Sequence, residues 1–150
     1  MSENRSEMFF VGALITSALG GILVLATRLA GFDGSNYYLG VLLYGGIGAF
    51  SGVYSILILL AGFLLIYCMI ISILVLKFPE KIPDRKYVKY GLYASAGAFI
   101  LTIINGIIFA VVATDEEWWW WFEAGFYGGV IGGLLTAIFY YMGEKELVLP

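Results

Sequence analysis

The sequence predicts an all-α, polytopic membrane protein built as a bundle of four transmembrane helices. The 150-residue chain is 61% hydrophobic and 13% charged, against roughly 45–50% and 25% in soluble domains. Four of its stretches carry no charged side chain, and each reaches the roughly 20 residues that a helix needs to cross a hydrocarbon core. These stretches cover residues 8–27, 34–76, 90–114 and 124–143. All charges therefore lie between or beyond them, within a single transmembrane domain that comprises residues 1–150.

The first helix is expected over residues 8–30. Its uncharged stretch is longer than the apolar core of a signal peptide and follows no strongly basic segment, so we expect the helix to be retained. Small residues recur every four positions at Gly12, Thr16 and Gly20. Such spacing predicts a face on which another helix can approach closely.

The second uncharged stretch leaves two interpretations open. As one helix, residues 34–76 would be about 64 Å long, twice the bilayer core. In the first interpretation a Gly-rich entry over 39–52, with Gly48 and Gly52 at packing spacing, precedes one helix over 53–78. In the second, a break near 51–55 gives five helices and moves the N-terminus to the opposite side. We favour four helices, because a turn at membrane depth leaves backbone groups without partners.

The distribution of basic residues predicts the orientation. Five of them crowd the segment after the second helix, where Pro79 and Pro83 end that helix. These residues are Lys77, Lys81, Arg85, Lys86 and Lys89. The connection between the third and fourth stretches has acidic residues and no basic one. By the positive-inside rule, the basic loop 77–89 and the C-terminus are expected in the cytoplasm.

The third helix, expected over 88–113, carries a seam of small and polar residues at helical spacing. Ser95, Thr102 and Asn105 are the polar members of this seam. An amide inside the membrane is costly unless it is paired, so we expect Asn105 to face the bundle and to bond Thr16, Ser17 or Thr136. The seam then has two interpretations, a packing contact with one interhelical hydrogen bond or a narrow polar path.

The last helix is expected over 115–142. Thr114 with Glu117 matches a capping box, and acidic residues suit the first turn of a helix. Four tryptophans would then ring that helix as an aromatic belt at the headgroup level. The acidic and aromatic residues of this interfacial segment are Asp115, Glu116, Glu117, Trp118, Trp119, Trp120, Trp121 and Glu123. Gly125, Gly129 and Gly133 follow as another small-residue face.

The residue inventory weighs against catalysis. The chain has no histidine and one cysteine, Cys68, and every charged residue lies at or beyond an expected membrane edge. Side chains that could act as an acid, a base or a metal ligand are therefore scarce inside the membrane. We expect a non-enzyme without cofactor, cofactor-binding residue or metal site, acting as an accessory, assembly or scaffold subunit through its glycine faces. The alternative is a homo-oligomeric channel or small transporter. Expected partners are the lipid bilayer and other membrane subunits or further copies of the chain, and not nucleic acid.

Overall fold

The computed structural model describes residues 3–32, 53–82 and 84–147. Four helices in this part of the chain are long and apolar enough to cross a membrane. They are α1 (Glu3–Ala26), α2 (Val53–Lys77), α3 (Lys86–Asp115) and α4 (Ala124–Glu146), with a short 3-10 helix over Pro79–Lys81. Two strands, β1 (Ala30–Phe32) and β2 (Trp120–Phe122), pair as an antiparallel ribbon. The protein is thus the all-α four-helix membrane bundle that the sequence predicts.

The four helices form a bundle that is roughly square in cross-section, and neighbouring helices are antiparallel. α1 packs against α4 and α2, and α3 packs against the same two helices, so α1 and α3 lie diagonally opposite. Gly21 of α1 faces Ile66, whereas Leu25, one turn later, faces Gly62, one turn earlier on α2. The five-helix alternative would make α1 and α2 parallel, and this antiparallel contact is incompatible with it. The Gly-rich entry predicted over 39–52, with Gly48 and Gly52, lies outside the described residues.

The two ends of the bundle differ in chemistry. At one end α1 and α3 begin and α2 and α4 finish, and we call it the basic end because the 77–89 loop lies there. At the other end, the ribbon pairs the segment after α1 with the connection between α3 and α4, and Gly31 lies opposite Trp121. We call this the ribbon end.

Helix boundaries depart from expectation at both ends of the bundle. At the basic end α1 begins at Glu3 and not at residue 8, and α4 ends at Glu146 and not at residue 142. At the ribbon end α1 ends at Ala26 and not near residue 30, because the chain then enters β1. α2 and α3 begin and end within two residues of their predicted limits. α4 begins at Ala124 and not near Asp115, because the ribbon occupies the intervening residues.

Large apolar side chains cover the outside of the bundle. On α1 an outward stripe of Val11, Ile15, Leu19 and Ile22 is 44–59% exposed. In water such a surface would be an aggregation hazard, whereas in a bilayer it faces lipid. The interior holds two clusters, one around Phe109 and Leu65 toward the ribbon end and one around Phe10 and Tyr140 toward the basic end.

Candidate functional site

Glycines bring the backbones of α1 and α4 into contact. A Cβ on Gly20 would lie 2.8 Å from the carbonyl oxygen of Gly128, and one on Gly132 would lie 2.8 Å from the Cα of Gly20. Real Cβ atoms do not approach backbone so closely. Near the ribbon end, a Cβ on Gly125 would lie 2.7 Å from the carbonyl oxygen of Arg28. The α1–α4 contact therefore requires glycine at these positions.

The remaining predicted packing residues in the described part of the chain also lie against other helices of the same bundle. Gly129 lies against the side chain of Thr102, and a Cβ on Gly133 would lie 2.9 Å from the backbone nitrogen of Phe99. Gly12 lies under the ring of Phe139, where a Cβ would be 2.9 Å from its Cζ atom. The glycine faces that the structure describes are thus occupied within one chain.

A hydroxyl pair accompanies the α1–α4 contact. The Oγ1 atoms of Thr16 and Thr136 are 2.8 Å apart, and Thr16 also donates to the carbonyl oxygen of Gly12 at 2.9 Å. This is an interhelical hydrogen bond inside the membrane span. It takes up two of the hydroxyl groups expected to pair with Asn105.

The polar seam of α3 is buried, and its donors bond their own helix. Ser95 donates to the carbonyl oxygen of Gly91 and Thr102 to that of Ala98. The Asn105 side-chain amide donates to the carbonyl oxygen of Leu101 at 2.9 Å, and its Oδ1 has no partner among the described residues. The predicted interhelical bond of Asn105 is therefore wrong.

The reason lies in the register of α3 against α4. Gly106, next to Asn105, lies against the ring of Phe126. Thr136 is ten residues further along α4, or about 15 Å at 1.5 Å per residue. Ser17 donates to Leu14 of its own helix. Small-residue spacing in the sequence defines the face of a helix but not its register.

A buried hydrogen-bond network that the sequence reasoning missed joins three helices. The Tyr140 hydroxyl donates to the carbonyl oxygen of Cys68 at 2.6 Å and lies 3.1 Å from Ser72 Oγ. The Cys68 thiol donates to the carbonyl oxygen of Gly91 at 3.3 Å. The Tyr140 ring packs directly against Gly91, where any side chain would collide with it. A tyrosine inside an uncharged stretch needs such partners and is the signal that could have revealed the network.

The interfacial acidic and aromatic segment forms a cap over the ribbon end and does not extend α4. Trp118 stacks on Phe32 with ring centroids 4.3 Å apart. The indole of Trp120 donates to Thr114 Oγ1 and that of Trp121 to Glu123 Oε1, both at 3.1 Å. The expected capping box is wrong, because Thr114 and Asp115 end α3 and Glu117 takes a left-handed turn at φ 57°.

The cap combines carboxylates with one highly exposed indole. Asp115, Glu116 and Glu117 are exposed, and Trp119 is 82% exposed. Beside them a shallow depression of about 560 Å³ is walled by Ile107 and neighbouring apolar residues of α3, with Asp115 and Glu117 at its rim. The cap can therefore offer a partner negative charge next to apolar surface.

At the basic end, local bonds shape the loop before α3. Asp84 accepts a hydrogen bond from the Lys86 backbone amide at 2.9 Å and pairs with its ammonium group at 3.3 Å. The backbone bond, with the charge of Lys86, holds the pKa of the Asp84 carboxyl below its usual value. Arg85 donates to the carbonyl oxygen of Glu144, which connects this loop to the end of α4.

Among the described residues, no group of three or more histidine, cysteine, aspartate or glutamate side chains is arranged to hold a metal ion. Comparisons with protein-family models, with curated protein sequences and with solved structures found no match. Function is therefore inferred from the geometry alone.

Proposed function

We propose that the protein is a non-catalytic accessory or assembly subunit of a membrane complex. One observation carries this proposal: the described glycine faces and the polar seam are closed within the bundle, while the carboxylates lie at its ends. Asn105 is the most polar group at depth, and an amide is neither an acid nor a base at neutral pH. What remains available to a partner is the outer surface and the cap.

The cap is the proposed docking surface. The described part of the ribbon end carries four carboxylates, Asp115, Glu116, Glu117 and Glu123, and one basic residue, Arg28. Two such caps would repel one another, so the partner is a different subunit with a basic surface beside the membrane. Exposed Trp119 next to that charge supplies the kind of aromatic anchor that dominates interface energies.

We further propose that the basic loop and the C-terminus face the cytoplasm and that the cap lies on the opposite side. The basis is the positive-inside rule, with the tryptophans of the ribbon as an aromatic belt. A cysteine at position 116 in a Cys68→Ser background should react with an impermeant thiol reagent in intact cells. Reaction only after permeabilisation would reverse the orientation.

Photo-crosslinking from the cap tests the subunit proposal. A benzoylphenylalanine at position 119 should give a discrete adduct with another membrane protein in native membranes. The same probe at Tyr93, an exposed aromatic position on α3 away from the ribbon end, is the matched control. Neutralising the cap with Glu116→Gln and Glu117→Gln should weaken the adduct. A monomer mass after gentle extraction, with no adduct from position 119, would refute the proposal.

The channel alternative receives less support. Thr102 of the polar seam lies directly against Gly129, and the Tyr140 ring lies against Gly91, so the seam lies in a close-packed interface. Any conduction would need a path between copies. Solute or ion flux through vesicles containing only the purified protein would favour this alternative over the subunit proposal.

A further inference from the structure

The depression beside the cap lies on the outer face of α3, where that helix reaches the ribbon end. It is lined by Ile107, Ala110, Val111, Thr114, Asp115 and Glu117. Ile107 and Val111 are 58% and 63% exposed, so this part of α3 faces away from the bundle. The depression therefore joins an apolar, outward-facing wall directly to two carboxylates.

These two carboxylates lie where the helix itself disfavours them. Asp115 ends α3, and a negative charge at the C-terminus of a helix opposes the helix dipole. Glu117 has a left-handed backbone at φ 57°, a conformation for which glycine is preferred after a helix. The positions of both acids therefore do not stabilise the isolated bundle.

The charge of the depression determines which kind of occupant complements it. Two carboxylates next to an apolar wall favour a cation that is attached to an apolar group. Every phospholipid headgroup carries a phosphate, which the same carboxylates repel. A second copy in the same membrane orientation would bring its own carboxylates to this level, where like charges oppose contact. The complementary group is therefore a basic side chain of a different protein.

The chain itself offers no such base at this position. In the described part of the ribbon end the one basic residue is Arg28, which follows α1, the helix diagonally opposite α3. Residues 33–52 contain neither lysine nor arginine. The remaining described basic residues lie toward the basic end.

The size of the depression suits one turn of a helix. A cylinder about 10 Å across and about 5.4 Å long, which is one helical turn with its side chains, occupies about 420 Å³. The depression has a volume of about 560 Å³, so a single alkyl chain would leave much of it unfilled. Ala110 places a small side chain in its lining, and small residues let two helices approach closely in a membrane.

We infer that this depression binds the end of a transmembrane helix of another subunit, with a lysine or arginine of that helix paired to Asp115 and Glu117. The partner helix crosses the membrane beside α3, and its base lies at the level of the lipid headgroups. This inference rests on the proposed subunit role and deepens it, because it names the element of the partner that makes the contact.

Photo-crosslinking from inside the depression tests the inference. Benzoylphenylalanine replaces Val111 in native membranes, and mass spectrometry identifies the crosslinked peptide. The same probe at Ile22 is the matched control, because this residue is similarly exposed (56%) on α1, diagonally opposite α3. We expect a protein adduct from position 111 and none from position 22. The crosslinked peptide should come from a transmembrane helix that has a lysine or arginine at its end.

Neutralising the two carboxylates separates their charge from the fold. Asp115→Asn combined with Glu117→Gln should lower the adduct yield from position 111 at least roughly tenfold, since truncating one side of an interfacial charge pair removes that much affinity. The same double variant should withstand sodium dodecyl sulfate as well as the wild type does. Glu80→Gln, which removes an exposed carboxylate at the basic end, should leave the yield unchanged.

The possible outcomes distinguish this inference from the subunit proposal. An adduct from position 119 without one from position 111 would leave the subunit role in place and overturn the helix contact. A lipid, a second copy of the chain or a peptide without a base as the crosslinked species at position 111 would also overturn it, as would an unchanged yield after neutralisation. Absence of any adduct from both positions would refute both proposals.

Discussion

Replacing Gly132 with alanine should open the bundle along the α1–α4 contact. The added Cβ would lie 2.8 Å from the Cα of Gly20, and neither backbone can rotate away as a side chain could. Forcing an extra carbon into a packed interior costs typically ~1–3 kcal/mol. Alanine itself favours helix over glycine by ~0.8–1.0 kcal/mol, so the measured loss should be smaller than the packing cost.

A second glycine separates these two contributions. Gly97 on α3 gains the same helix propensity when replaced, but its new Cβ would lie 3.4 Å from the end of the Leu64 side chain, an ordinary contact. Gly97→Ala should therefore be neutral or stabilising. The difference between the two variants isolates the packing cost, and we expect about 1–3 kcal/mol. Unfolding in mixed micelles of rising sodium dodecyl sulfate content, followed by circular dichroism, measures it. Equal stability of the two variants would refute the backbone contact.

Three further changes probe the interior and the cap, using the same unfolding assay. Tyr140→Phe should cost about 0.6–1.7 kcal/mol, as expected for a hydrogen bond inside a membrane protein, whereas exposed Tyr141→Phe should cost nothing measurable; equal losses would contradict the buried network. Asn105→Leu should be neutral or stabilising, since it removes an unpartnered carbonyl oxygen and a bond made only within its own helix; a loss above about 2 kcal/mol would mean that the amide has a structural partner. Trp118→Leu should destabilise by about 0.5–1.5 kcal/mol through loss of ring stacking while Trp119→Leu should not, and the reverse order would place the wrong indole against the bundle.

Charge-free stretches predicted where the spans lie, because each helix must satisfy its backbone hydrogen bonds internally and the bilayer fixes its length. They left four or five helices open in the second stretch, and the cost of a turn at membrane depth favoured four. The limits of α2 followed from Pro79 and from a long apolar stretch. The ribbon could not be predicted in the same way. Its two strands are three residues each and lie about 90 positions apart, and the acidic segment before the tryptophans resembled a helix start.

For the candidate sites, local features were predictable from the sequence and contacts between helices were not. Spacing identified small residues on helix faces such as Gly20 and Gly129, because helical periodicity is local. Partners depended on register between helices, which arises from the sum of many contacts. The hydrogen-bond partners predicted for Asn105 therefore lie at a different depth along the helices. The bond between Thr16 and Thr136 was not predicted.

The ribbon has a consequence for the order in which the protein assembles. β1 leaves the first helix, but its hydrogen-bond partner β2 is made only after the third, and the closest backbone contacts of α1 are with the last helix. During synthesis the early helices can enter the membrane one after another, yet α1 lacks its main neighbour until the chain is nearly complete. Closure of the bundle and pairing of the strands are therefore late events with high loop-closure cost. A chain that stops before Trp120 would insert its spans and remain open, with the glycine face of α1 available to whatever helix it meets.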